Sequence, residues 1–345
     1  MEIAGRKIGP DQPPYVICEL SGNHNGSLDR ALKLIDAAAA TGADAIKIQT
    51  YTPDTITMKS DRPDFQVKGG LWDGMTLYEL YQTAYTPYEW HPVLFKRAKE
   101  LGITLFSAPF DETAVDLLSR LDAPAYKIAS FEVIDLPLIE RVAREKKPMI
   151  VSTGMANFAE IGEAVKTARS AGASDIVLLH CVSAYPAPIA DANVRTIAHM
   201  ANSFGVLAGL SDHTPGTAAS VAAVATGACV IEKHFTLARA DGGPDAAFSL
   251  EPDEFKRLVE DCKAAWSALG QVTYDTQGSE AGNRAFRRSL YAVRPIAAGE
   301  AFTRDNVRSI RPGFGMPPKE LPALLGKKAR RRIDAGEPIL PALIE

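Results

Sequence analysis

The sequence predicts an α/β fold: a (β/α)8 TIM barrel over residues 1–270, a linker over 271–285 and a small β-rich C-terminal domain over 286–345. Three observations lead there. Short runs rich in Val, Ile and Ala alternate with helical patterns eight times before residue 270, a count that suits a closed barrel better than an open doubly wound sheet. The runs are almost continuously apolar, as parallel strands covered by helices must be. After Gly270 the rhythm breaks into the polar stretch QVTYDTQGSEAGNR, and then into SLYAVRPI and AFTRDNVRSI between Gly and Pro turns.

Taken in order, the predicted strands are Tyr15–Leu20, Ala45–Gln49, Thr104–Ala108, Ala125–Ile128, Met149–Ser152, Ile176–His180, Val206–Leu210 and Val230–Lys233. Predicted helices between them include Leu28–Thr41, Pro87–Leu101, Thr113–Leu121, Leu136–Arg144, Phe158–Ala171 and Ala218–Thr226, with Pro252–Leu269 closing the barrel. No GxGxxG or GxxxxGK[ST] follows the first strand, which argues against a dinucleotide or P-loop fold. The connection Thr50–Thr86 is long for a compact domain. Its Trp72, Leu77, Tyr78, Tyr81 and Tyr85 predict that it packs on the barrel mouth.

Composition narrows the function classes. With 38 basic and 42 acidic residues in 345, the formal charge is −4, so neither nucleic acid nor a membrane is an expected partner. The N-terminal segment lacks the apolar core of a signal peptide, no stretch approaches the ~18 apolar residues of a span, and a cytoplasmic location is expected. Cys18, Cys181, Cys229 and Cys262 are scattered without a CxxC pair and read as reduced buried thiols. Charge is unevenly divided: residues 286–345 hold 12 Lys and Arg against 6 Asp and Glu, a net of +6, leaving −10 elsewhere. The run Lys327–Arg332 reads as a solvated face, but the basic domain as a whole could dock on the acidic barrel or meet an anionic ligand.

Polar residues recur where the strands end. Glu19, Lys47, Gln49, Lys127, Ser130, Ser152, His180, Ser211, His213 and His234 all lie at or just past C-terminal strand ends, the face that carries the active site in barrels of this kind. One such residue is commonplace; a set recurring on nearly every strand is a site. Lys47 and Lys127, flanked by apolar strand residues, suit phosphate or carboxylate binding. His213 and His234 follow adjacent strands and can converge on one divalent ion. With otherwise oxygen ligands, two imidazoles suit Mn²⁺ or Mg²⁺ better than a closed zinc site.

CELSGNHNGS (18–27), DAIKIQT (44–50), AYKIASFE (125–132), VSTGMA (151–156), GLSDHT (209–214) and EKHFT (232–236) closely resemble the sialic acid (nonulosonic acid) synthase family, and IRPGFGMPP (310–318) resembles its C-terminal SAF, or antifreeze-like, domain. The resemblance covers essentially the whole chain. Segments 71–91, 181–193 and 239–252 look most like the pseudaminic acid branch.

That resemblance implies condensation of phosphoenolpyruvate with an N-acetylated hexose, releasing phosphate by C–O cleavage. It implies that Lys47, Lys127, Ser130 and Ser211 line the phosphoenolpyruvate site. Gln49, Ser183, Tyr185, Asp245, Asn23 and His24 stand as further substrate contacts, although Asn23 also reads as a turn former in NHNG. His213 and His234 would hold the metal, a Lewis acid on the sugar aldehyde. Glu19, Glu132, Lys127 and Arg311 would be catalytic, with the acid and base roles of the two carboxylates left open. The implied assembly is a homodimer with exchanged SAF domains, each presenting Arg311 to its neighbour's site.

Two positions depart from the N-acetylneuraminate-type pattern. Ala108 replaces a hydroxyl residue, for which Ser107 or another donor would compensate, and Ser183 replaces an asparagine. The sugar therefore stays open among pseudaminic, N-acetylneuraminic and legionaminic precursors. A non-catalytic sugar-binding barrel would not need this set of charges, and a Schiff-base aldolase using Lys127 is the remaining alternative.

Overall fold

Eight parallel strands close into a cylinder in the computed structural model, which describes residues 1–345. An N-terminal hairpin comes first, β1 (Glu2–Ile3) antiparallel to β2 (Arg6–Lys7). The staves follow in chain order: β3 (Tyr15–Glu19), β4 (Ala45–Thr50), β5 (Thr104–Pro109), β6 (Tyr126–Ile128), β7 (Met149–Ser152), β8 (Ile176–Cys181), β9 (Leu207–Asp212) and β10 (Val230–His234). Pairing of β10 with β3 closes the barrel.

The outer layer consists of α1 (Leu28–Ala40), α4 (His91–Leu101), α5 (Glu112–Arg120), α6 (Leu136–Ala143), α7 (Phe158–Ser170), α8 (Thr196–Phe204), α9 (Ala218–Ala225) and α10 (Pro252–Leu269); α2 (Pro53–Ile56) and α3 (Leu77–Ala84) lie within the long connection after β4. Helix α8 was not anticipated from the sequence. It has no side-chain N-cap and only Ile197 and Met200 fully buried, so its pattern is faint until Gly205 stops it in the left-handed region. No helix is long and apolar enough to cross a membrane.

Strand alternation sets the site. Near the N-terminal ends of the staves, Tyr15, Ile17, Phe106, Ile150, Val177 and Leu179 pack inside the barrel against Ile3 and Ile8, so the hairpin region plugs the bottom. Alternate residues such as Val16, Ile46, Leu210 and Ile231, or Ile128 and Val151, face the helices. Because side chains on one face recur every second residue, the next inward positions are Glu19, Lys47, Lys127, Ser152, Cys181, Ser211 and Glu232. All are buried. The apolar floor thus becomes a polar layer within one step of each strand.

The chain divides into two compact units, Met1–Gly270 and Gln271–Glu345. In the second, a 3-10 run (Gly278–Phe286) precedes β11 (Ser289–Ala292), which pairs antiparallel with β12 (Val307–Ile310), and α11 (Leu321–Leu324) follows. Leu290, Ile296, Phe302, Val307, Leu324 and Ile333 form its core. Ser289 Oγ donates to the Pro312 carbonyl at 2.7 Å and accepts from the Gly315 amide at 2.9 Å. These bonds pin the turn that follows Arg311, which is itself exposed.

Candidate active site

Four charges meet inside the barrel. Lys127 Nζ lies 2.9 and 3.0 Å from the two oxygens of Glu232, and Lys47 Nζ lies 2.7 Å from Glu232 Oε1. Lys47 also sits 3.1 Å from Glu19 Oε2, close enough for an ion pair but without hydrogen-bond geometry, so that oxygen keeps no donor. Ser211 Oγ donates to Glu232 Oε1 at 3.3 Å. Buried charges persist only when paired, and these cancel: two cations, two anions. Burial pushes Glu232 up, but the two ammoniums outweigh it and hold the carboxyl well below the usual range. Burial also dominates at Lys127, which falls to about 8, and at Glu19, which is raised despite Lys47.

Glu232 is the residue that sequence reasoning missed. Its signal was available: it is the inward residue two past Val230 on a covered strand, where a carboxylate must find a cation.

A second chain of bonds leads from this quartet to the imidazoles. Gln49 Nε2 donates to Glu19 Oε1 at 3.0 Å and to Ser21 Oγ at 3.1 Å, and Ser21 Oγ donates to Asp245. Asp245 Oδ2 is 3.8 Å from His234 Nδ1, which has no hydrogen-bond partner although buried. Burial holds His234 well below the ordinary histidine range, hence neutral, and raises Asp245. The rings of His213 and His234 are 5.3 Å apart. His213 Nδ1 is 3.0 Å from the Val182 carbonyl, which accepts its proton; burial disfavours the charged ring, but the Cys181 thiol and this carbonyl outweigh burial and raise it above its ordinary value. A neutral orphaned imidazole beside one held at Nδ1 by a carbonyl fits two ligands of a divalent cation. No cluster of three His, Cys, Asp or Glu completes a cage, so other positions would fall to oxygen donors outside such a cluster.

Aromatic rings wall this end. Tyr185 lies 4.5 Å from His213 with the rings tilted, Phe248 lies 4.9 Å from His234, and Trp72 lies 5.8 Å from Tyr185. The Trp72 indole N–H donates to the Pro244 carbonyl at 2.9 Å, so the long connection does reach the barrel mouth.

The other end is rich in hydroxyls. A Cβ on Gly154 would collide with the hydroxyls of Ser183 and Ser130, whose Oγ accepts from the Gly154 amide at 3.2 Å. Ser152 Oγ is buried without a partner, as is Glu132 Oε2. Glu132 ends a 3-10 turn beginning at Ser130, and burial pushes its carboxyl up to about 7.

Several expected site residues have other duties. Ser107 does not compensate for Ala108: strand alternation turns it outward, where it donates to the Ile48 carbonyl and bonds Thr50. His180 likewise faces out, bonded to the Ala192 carbonyl, and Cys181 faces in, its Sγ 3.7 Å from His213 Nδ1. Burial raises that thiol, yet the imidazole outweighs it and brings it to about 7. Asn23 donates to the Phe235 carbonyl and Ser249 Oγ, tying the first loop to the last. Both nitrogens of His24 are engaged, with Thr86 and the Gly26 amide, and burial lowers it to about 4.

A parallel barrel whose mouth combines paired lysines, carboxylates, hydroxyls and an imidazole pair has the make-up of an enzyme active site. The chain belongs to the NeuB family, which it matches over residues 34–274, and residues 287–345 match the SAF domain. It is 50% identical over 327 residues to pseudaminic acid synthase of a Campylobacter jejuni serotype O:2 strain, covering 95% of each chain. It is 44% identical over 329 residues to pseudaminic acid synthase of Helicobacter pylori, covering 95% of this chain and 97% of that one. The crystal structure of an N-acetylneuraminic acid synthetase from Leptospira borgpetersenii superposes with a TM-score of 0.73 at 31% identity, covering 82% of this chain and 94% of that one.

Proposed function

We propose that this enzyme condenses phosphoenolpyruvate with open-chain 2,4-diacetamido-2,4,6-trideoxy-altrose, giving pseudaminic acid and phosphate. The observation that carries the chemistry is the buried quartet of Glu19, Lys47, Lys127 and Glu232 beside an imidazole pair. The choice of sugar rests on the names of the Campylobacter and Helicobacter relatives and on the aromatic wall of Trp72, Tyr185 and Phe248 beside the histidines. A 6-deoxy sugar leaves no C6 hydroxyl unpaired against such a wall.

The residues divide the work by position. Lys47 and Lys127 attract the carboxylate and phosphate, and Ser130, Ser183 and Ser211 supply hydroxyl donors. As C3 attacks the aldehyde carbon, the new C–C bond takes the alkene electron pair and C2 becomes cationic. Glu132, protonated near neutrality, gives its proton to the aldehyde oxygen. Glu19, with a bare oxygen, removes a proton from the water that adds at C2. The C2–O bond then breaks, phosphate leaves with the bonding pair and takes up the proton of the C2 hydroxyl, and C2 becomes a ketone. His213 and His234 would hold Mn²⁺ or Mg²⁺, which when bound supplies Lewis-acid polarisation of the aldehyde.

The quartet sums to zero charge, so a phosphoenolpyruvate anion calls for further cations. Arg311 of a partner subunit, brought by an exchanged SAF domain in a homodimer, is our candidate. Support comes from the +6 and −10 division of charge and from Phe131, Ile134 and Met155, exposed in the segments that follow β6 and β7, with Phe158 exposed at the start of α7. Four free, buried cysteines favour a reducing compartment, and we place the reaction in the cytoplasm.

The aldolase alternative is disfavoured because Lys127 is committed to both oxygens of Glu232. The test is phosphate release with bridge-labelled phosphoenolpyruvate. The bridging oxygen should leave with phosphate, chelator should stop release, and Mn²⁺ or Mg²⁺ should restore it. Borohydride trapping of a pyruvate adduct would overturn the reading.

A further inference from the structure

Beyond the site lies a charged pair that the reaction does not use. Of the side chains that the eight staves send outward toward the helices, only Asp212 and Lys233 carry a full charge. The other outward positions hold residues such as Val16, Ile46, Leu105, Ile128, Val151 and Leu178. Asp212 is 2% exposed and Lys233 1%. They are direct neighbours across the β9–β10 ladder, and Lys233 Nζ is 2.8 Å from Asp212 Oδ2.

A buried ion pair is weak evidence of stabilisation, because apolar replacements of similar volume are often as stable. The surrounding bonds indicate a different use. Asp212 Oδ1 accepts from the Thr214 amide at 2.9 Å and its hydroxyl at 2.8 Å, and Oδ2 also accepts from Ser220 Oγ on α9 at 2.6 Å. Lys233 Nζ in turn donates to the Thr214 carbonyl at 2.6 Å. The residues on both sides of His213 are therefore clamped to the residue immediately before His234. One step along each strand reverses the face, so a clamp outside the barrel fixes two rings inside it.

We propose that Asp212 and Lys233 are positioning residues that set the spacing of His213 and His234 for a divalent cation. This rests on the reading that the two histidines hold the ion. Partners just outside a ligand set commonly change metal affinity by ~10–100-fold, and this pair acts through backbone placement rather than by touching the ion.

The test measures Mn²⁺ binding by electron paramagnetic resonance, with no substrate, alongside thermal unfolding of each variant. The Asp212→Asn, Lys233→Met double variant removes both charges and leaves neither unpaired. Asp212→Asn alone, nearly isosteric, is the second arm should the double variant not fold. The proposal expects folded variants whose Mn²⁺ dissociation constant rises roughly tenfold or more. Folded variants that bind Mn²⁺ within about twofold of the parent overturn it, since a merely structural pair would move the melting temperature and not the affinity. Parent-like Mn²⁺ binding in a His213→Ala, His234→Ala chain would instead remove the metal reading, and the positioning role with it.

Discussion

Lys127 and Glu232 face each other across the barrel interior, the ammonium within 3.0 Å of both carboxylate oxygens. Lys47 shares one of those oxygens, so a single carboxylate holds two buried cations. Glu232→Gln would leave both ammoniums short of charge. Breaking a buried pair on one side typically costs about 3–5 kcal/mol, and urea unfolding should show a loss of that order. Adding Lys127→Met should recover part of it, because the two sites are coupled. Unfolding of Glu232→Gln at the parent midpoint would contradict the arrangement.

Glu132 predicts a pH dependence of defined sign. Burial raises its carboxyl from 4.5 to about 7. Between those values the folded chain keeps a proton that the unfolded chain has released. Its contribution to stability is therefore whole below about 4.5 and fades as pH rises through about 7. In the acid role we propose for it, Glu132 should make the rate fall above pH 7. In Glu132→Gln that limb of the kcat/KM profile should vanish, with a rate loss of about 10²–10⁴-fold. A persisting limb would assign the titration to another group.

The sequence made the barrel legible because covered strands have to be apolar on both faces until the site begins, and the break in that rule exposed Lys47 and Lys127. It was less clear where a strand's last residue pointed. Ending the sixth predicted strand at His180 put that residue forward, yet the alternation of Val177 and Leu179 turns Cys181 inward instead. The same one-residue step sent Ser107 out of the site. Glu232 was hidden beside a histidine that drew the chemical argument to itself. Asn23 and His24 were visible as polar loop residues, but their internal bonds depend on partners as distant in sequence as Phe235 and Thr86. Arg311 stands exposed in the second unit, and local pattern alone does not fix its role.

Domain exchange can be tested by complementation. An Arg311→Ala chain and a His213→Ala chain, each nearly inactive alone, are coexpressed with different tags. If Arg311 acts on the neighbouring subunit, each mixed dimer holds one intact site. Random pairing in a two-fold dimer then restores roughly a quarter of parental activity. Background activity in purified mixed dimers would refute exchange and leave the barrel chemistry standing.

In the function we propose, this site joins phosphoenolpyruvate to the diacetamido 6-deoxy sugar rather than to a hydroxylated relative. Phosphate release measured with 2,4-diacetamido-2,4,6-trideoxy-altrose and with N-acetylmannosamine, under one set of Mn²⁺ conditions, compares the two kcat/KM values directly. We predict a preference of roughly tenfold or more for the trideoxy sugar, the order expected when a polar group is refused by an apolar wall. Equal values, or a preference for N-acetylmannosamine, would contradict that assignment of the sugar.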